Sequence, residues 1–208
     1  MSFEVWFSFV LATSALLAVP GPTVMLVVSY ALGRGRSAAW ATVPGVTLGD
    51  FTAMTISLLG AGAILATSAT LFTILKFCGA AYLIWLGLKL WRSEAHLDEV
   101  PKANACLSRK SMFWNAWMVT SLNPKGIVFF VAFVPQFVNV SQETLPQFVI
   151  LEATFLVLAF VNILLWALLA SKLRDRFKQP RTLQLANRTG AAFLIGAGLL
   201  TATVRRGA

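Results

Sequence analysis

Three ionisable residues stand where such residues are costly. Asp50, Lys125 and Glu152 each fall inside a long apolar run, and Asp or Lys at the centre of a bilayer costs about 2.5–3.5 kcal/mol on insertion scales. Groups of this kind face the interior of a helix bundle, where they pair or conduct. Two roles are open to them. Lys125 can form a structural ion pair with Asp50 or Glu152. Alternatively, the acids act as proton or ammonium sites while Lys125 holds a carboxylate. The three groups then complement both ends of a zwitterionic amino acid.

Two backbone breaks accompany these charges. Pro20-Gly21-Pro22 lies well inside the first apolar run. Its two prolines remove two amide donors and clash with carbonyls a turn earlier, and Gly21 permits unusual dihedrals, so the helix breaks. In the fourth run, Asn123 suits a helix N-cap and Pro124 the first position of a new half-helix. Freed backbone groups are tolerated at membrane depth only where protein or a water-filled cavity satisfies them. Half-helix N-termini also favour a carboxylate. A single membrane proline is usually a kink. Two breaks at corresponding positions point to a ligand site. The expected site therefore comprises Pro20, Gly21, Pro22, Asp50, Asn123, Pro124, Lys125 and Glu152.

The elements that must position these residues follow from composition. Hydrophobic residues make up 58% of the 208 and charged residues 12%, against roughly 45–50% and about 25% in soluble domains. A mean hydropathy of +0.76 agrees. These values exclude a soluble enzyme, a disordered tail and a disulfide scaffold. A spanning helix needs about 20 apolar residues, and six segments qualify: Phe3–Leu32, Ala38–Ala66, Ala69–Trp91, Met112–Val138, Leu145–Ser171 and Leu183–Val204. The first could pass for a signal peptide but is expected to be a span, because Glu4 stands where a basic leading region would and Pro20-Gly21-Pro22 is a poor cleavage site.

The net charge of +9 does not indicate nucleic-acid binding. Thirteen of the 17 basic residues lie at or near alternate connectors, after spans 1, 3 and 5, while Glu143 is the sole charge in the connectors after spans 2 and 4. The positive-inside rule makes the basic connectors cytoplasmic and both termini external. Arg205 and Arg206 run against that assignment. The chain reads as one transmembrane domain, with repeats at about 1–92 and 111–208 joined by a cytoplasmic connector, 93–110.

The two halves resemble each other. Gly79-Ala80-Ala81-Tyr82-Leu83-Ile84 recurs 111 residues later as Gly190-Ala191-Ala192-Phe193-Leu194-Ile195, and Gly87 then matches Gly198. An offset of 102 carries Pro22 onto Pro124 and Asp50 onto Glu152. Three spans per half set the halves facing opposite ways, the inverted-repeat plan of many secondary transporters. The fold expected is an all-α membrane protein of six transmembrane helices in two inverted three-helix repeats, with helices 1 and 4 broken.

Several residues have simpler expectations. Lys76 snorkels to an interface. Asn162 could line a cavity, although a bond to another helix is the simpler reading. Gly45, Gly49, Gly60 and Gly62 allow close helix approach, and Trp6, Trp40 and Trp91 suit interfacial belts. His96 is solvated in a connector. Cys78 and Cys106 belong to no paired or metal-ligand motif. No cofactor or metal is expected. Small-residue faces would permit a homodimer.

Pro20-Gly21-Pro22, followed by Pro44-Gly45-Val46-Thr47-Leu48-Gly49-Asp50, resembles the LysE/RhtB amino-acid exporters. So do Gly79 to Gly87 with Lys89 and Arg92, and Leu122-Asn123-Pro124-Lys125 with Phe129-Phe130 and Pro135-Gln136-Phe137. The likeness covers nearly the whole chain. It implies a bacterial inner-membrane exporter of amino acids or their derivatives, driven by proton antiport and working by alternating access between the breaks. Its partners would be the amino acid, protons and the lipid bilayer. Among family substrates, a zwitterion suits Lys125 beside two acids, and a dibasic amino acid could use both carboxylates. Glu152 rests on the internal repeat and not on the resemblance. A passive channel or uniporter remains as an alternative, since a polar cavity alone does not distinguish leak from coupling. An intramembrane aspartyl enzyme would need a second aspartate beside Leu48-Gly49-Asp50, and hydrolases of other types would need histidines outside a loop.

Overall fold

The computed structural model describes residues 1–92, 108–139, 141–172 and 180–203. His96, Lys102, Cys106, Arg174, Arg176, Lys178, Arg205 and Arg206 lie outside the described residues.

Every regular element among the described residues is helical. Helix α1 (Phe3–Ala18) starts at Ser2, whose side chain accepts from Val5 N. It stops where Pro20 and Pro22 withhold the amides that would continue it. Helix α2 (Pro22–Arg34) restarts the chain with proline at its head. It ends at Gly35, whose φ of 67° is open to glycine and strained for other residues. A 3-10 turn, Gly35–Ala38, then leads into α3 (Ala39–Thr67), and α4 (Ala69–Arg92) follows.

The second half has the same rhythm. Ser108 caps α5 (Arg109–Ser121), and Asn123 caps α6 (Pro124–Val128). The chain continues through a π turn, Phe129–Phe133, and a 3-10 turn, Val134–Phe137. Helices α7 (Thr144–Lys172) and α8 (Pro180–Thr203) complete it. Both expected breaks are therefore present.

Thr144–Ala170 is long and apolar enough to cross a membrane, at 27 residues and mean hydropathy 2.5. Pro22–Ile64 also passes, at 43 residues and 1.3, although the turn at Gly35 divides it. The bent pair Arg109–Ser121 and Pro124–Phe137, meeting at 40°, makes a third candidate span. The outer surface is apolar, with Leu59 68% and Val157 63% exposed, as a lipid-facing wall requires. The protein is an all-α, multi-pass membrane protein.

Glycines set several close helix contacts. A Cβ at Gly49 would stand 2.7 Å from Thr120 Cβ and 2.8 Å from Trp117 O, so α3 touches the backbone of α5. Gly45 does the same against Phe113 O. Helices α4 and α8 meet reciprocally. Gly87 faces Ala191 O and Ile195, while Gly198 faces Ala80 O and Ile84. These pairs run in opposite order, so the two helices are antiparallel. Gly60 departs from expectation, with nothing within 4 Å of its added Cβ, and Gly62 makes only an ordinary contact with Phe148 at 3.4 Å. Close approach is confined to the half of α3 that faces α5.

The interior has two unlike apolar layers. One is aromatic, built around Phe9, Phe129, Phe130, Phe133 and Phe155 from α1, the π turn and α7. Phe130 and Phe155 meet edge to face at 4.8 Å. The other is aliphatic, with Val27, Val28 and Val43 against Ala116 and Ala167. It joins α2, α5, the start of α3 and the end of α7. The two helix breaks lie between these layers.

Candidate functional site

Pro20 has no amide to give to Leu16 O, the acceptor four residues earlier. That carbonyl instead accepts from Val19 N at 3.2 Å and from Lys125 Nζ at 3.3 Å. Lys125 Nζ also donates to Val19 O at 3.0 Å. The ammonium thus caps the carbonyl end of α1, where the helix dipole favours a cation. It gets there across Gly21, at which a Cβ would lie 3.3 Å from Nζ. The structural ion pair weighed from sequence is replaced by this cap. Carbonyls freed by proline at this depth need a donor more than the lysine needs a carboxylate.

The second break is tied to the first. Asn123 Oδ1 accepts from Lys125 N at 3.1 Å, and Asn123 Nδ2 donates to Thr23 Oγ1 at 3.2 Å. Thr120 Oγ1 donates to the same Thr23 oxygen at 3.3 Å. Thr23 and Lys125 each follow the proline that starts a half-helix, and each reaches across to the opposite break. They are related by the offset of 102 that relates Pro22 to Pro124.

Between the breaks lies a cavity of about 50 Å³, whose polar lining comes from Gly21, Thr23, Asp50, Asn123, Lys125 and Asn162. That exceeds the roughly 10–15 Å³ a cavity needs to admit water. Asp50 is half-buried and has no hydrogen bond or ion pair to another described residue. Its charge and that of Lys125 attract each other across this space. The N-terminus of α2 has no side-chain cap, and Thr23 and Val24 in its first turn both line the cavity. By contrast, the N-terminus of α6 is already capped by Asn123. The arrangement offers a free carboxylate at one point, and an ammonium with uncapped amides at another.

The remaining expected residues stand apart from the cavity. Pro20 is buried, while Pro22 and Pro124 are exposed. They create the breaks without lining the space between them. Glu152 sits between Leu151 and Phe155 of the aromatic layer, and its Oε1 accepts from Thr55 Oγ1 at 2.6 Å. It does not join Asp50 and Lys125, because α7 turns Phe155, Ala159, Asn162 and Ile163 towards the cavity instead.

Asn162 lines the cavity and makes no hydrogen bond to another described residue, where a bond to another helix is the simpler reading of the sequence. Its signal was the spacing i, i+4, i+7, i+8 from Phe155, which places these residues on one helical face. Thr23 was missed because it reads as one more small residue of an apolar span. Among the described residues no group of three His, Cys, Asp or Glu could hold a metal ion.

Comparison with known proteins gives a consistent result. Residues 14–204 match the family described as LysE type translocator. A homoserine/homoserine lactone efflux protein of Salmonella typhimurium is 33% identical over 205 residues, covering 99% of both chains. An uncharacterized membrane protein of Vibrio cholerae is 30% identical over 99% of this chain and 100% of its own. A leucine efflux protein of an Enterobacter species is 32% identical over 75% of this chain and 74% of its own. No solved structure matches.

Proposed function

The chain belongs to the LysE type translocator family, and on that premise we propose that it exports amino acids from the bacterial cytoplasm in exchange for protons. The observation that carries this reading is Asp50, a carboxylate with no hydrogen-bond partner among the described residues, which lines a membrane cavity opposite the Lys125 ammonium. One carboxylate can hold a proton or a substrate ammonium but not both. That exclusivity is the physical basis of antiport. The relatives named for homoserine and leucine efflux support both the substrate class and the direction.

The proposed cycle uses the described residues in turn. An amino acid enters from the cytoplasm and sets its ammonium on Asp50 and its carboxylate against Lys125 and the uncapped amides of α2. The aliphatic layer closes behind it and the aromatic layer parts. After release, an external proton replaces the ammonium on Asp50, the empty site returns, and the proton leaves to the cytoplasm before the next ammonium binds. The cavity of about 50 Å³ is smaller than an amino acid needs, so loading widens it.

The inverted repeat belongs to the same proposal. The reciprocal contacts of Gly87 and Gly198, and the crossed bonds of Thr23 and Lys125, support two halves of three spans related by a pseudo-two-fold axis. One transmembrane domain of six spans, with both termini outside the inner membrane, follows from that plan and from the basic helix ends at Arg34, Arg92, Arg109 and Lys172.

Efflux from proteoliposomes preloaded with a labelled amino-acid mixture tests the reading. Release of one or a few amino acids, accelerated by external acid, is the expected result. Selective release that ignores the gradient would replace antiport with uniport or a channel. No release of any amino acid would remove the substrate class.

A further inference from the structure

Within the exporter reading proposed above, the cavity also carries information about the substrate's side chain. With Asp50 assigned to the α-ammonium and Lys125 to the α-carboxylate, the uncommitted polar group among the lining residues is the amide of Asn162. Thr23 is occupied by Thr120 and Asn123, and Asn123 by Thr23 and the amide of Lys125. Around Asn162 the same face of α7 presents Phe155, Ala159 and Ile163, all buried and apolar. The second acid that a dibasic substrate would require is elsewhere. Glu152 lies ten residues before Asn162 on α7, roughly 15 Å along the helix axis, and it is engaged by Thr55 within the aromatic layer.

We propose that Asn162 reads the substrate's side chain, and that the site takes amino acids whose side chain is short, uncharged and tipped with a hydrogen-bonding group such as a hydroxyl. An amide both donates and accepts, so it satisfies a hydroxyl in either orientation. A lysine-like side chain would bring a second ammonium into apolar surroundings with no partner, the arrangement that buried charges avoid. The small cavity favours a short chain, because each further methylene demands more widening.

The test compares efflux of homoserine, 2-aminobutyrate and lysine from proteoliposomes holding the full chain. Homoserine and 2-aminobutyrate differ only in the hydroxyl. The wild-type protein is expected to prefer homoserine over 2-aminobutyrate by roughly tenfold, the worth of one hydrogen bond, and over lysine by roughly 100-fold or more. Asn162→Leu should abolish the first preference while 2-aminobutyrate efflux persists. Asn162→Asp should raise lysine efflux at least about tenfold, because it supplies the missing counter-charge. That gain cannot come from misfolding. Equal wild-type efflux of lysine and homoserine would overturn the inference and leave the exporter standing. So would an unchanged homoserine preference in Asn162→Leu, or unchanged lysine efflux in Asn162→Asp. Failure of the wild-type protein to release any amino acid would overturn the exporter reading and this inference with it.

Discussion

Replacing Lys125 with methionine keeps most of the unbranched side chain and removes its charged end. Two ammonium-to-carbonyl bonds are lost, at 3.3 and 3.0 Å, each contributing about 1.5–3 kcal/mol when charge-assisted. Leu16 O keeps its bond from Val19 N, whereas Val19 O loses its donor. Against this combined loss of about 3–6 kcal/mol, the substitution removes a cation from an apolar span, a gain of about 2.5–3.5 kcal/mol. The net effect lies between a gain of about 0.5 kcal/mol and a loss of about 3.5 kcal/mol. The protein should therefore still fold and insert. Export should fall far more, by roughly 100-fold, since the substrate carboxylate loses its counter-charge in a buried site. Lys125→Arg, which keeps the charge, should retain part of the activity. Unfolding in mixed detergent micelles and efflux from proteoliposomes measure the two effects separately. Wild-type export by Lys125→Met would refute the role in substrate binding. Outright loss of folded protein would show that the cap on α1 accounts for the residue.

Other substitutions probe the scaffold and the acid that stands apart. Gly49→Val should destabilise the protein by a few kcal/mol, because its side chain would collide with Thr120 and the carbonyl of Trp117. Gly60→Ala, with nothing within 4 Å, should be neutral or stabilise by up to about 1 kcal/mol through helix propensity; micelle unfolding compares the two. Gly87→Ala and Gly198→Ala meet matching obstacles, Ile195 at 2.7 Å and Ile84 at 2.6 Å. Their losses of stability should agree within about 0.5 kcal/mol, and clear inequality would count against the two-fold relation. Thr55→Val removes the hydroxyl that donates to Glu152 at 2.6 Å. It should lower stability by about 1 kcal/mol and leave the dependence of efflux on external acid unchanged.

The breaks were legible because proline acts locally: a missing amide ends a helix whatever surrounds it. Asp50 and Lys125 were legible because charge in an apolar run has few places to go. What the sequence left open depended on which neighbour each group meets. Lys125 carries a charge that suggests a carboxylate, yet the nearer need was that of Leu16 and Val19, whose carbonyls stand at the broken end of α1. Glu152 stands 102 residues after Asp50, the offset that carries Pro22 onto Pro124, but a matching place in the sequence does not give it similar neighbours, and Thr55 meets it instead. Asn162 was underestimated because a polar residue in a span has two ordinary uses, and only the face shared with Phe155 and Ala159 separates them. Gly60 lies in the same helix as Gly45 and Gly49 without a facing backbone.

The claim on which the account rests is that a single carboxylate, Asp50, exchanges a proton for the substrate ammonium. Proton uptake accompanying amino-acid efflux, followed with a pH-sensitive dye in proteoliposomes, tests it most directly when Asp50→Asn is compared with Glu152→Gln. The account predicts that the wild-type protein and Glu152→Gln take up protons as amino acid leaves, and that Asp50→Asn does not. Full proton-coupled efflux by Asp50→Asn, or its loss in Glu152→Gln alone, would contradict it.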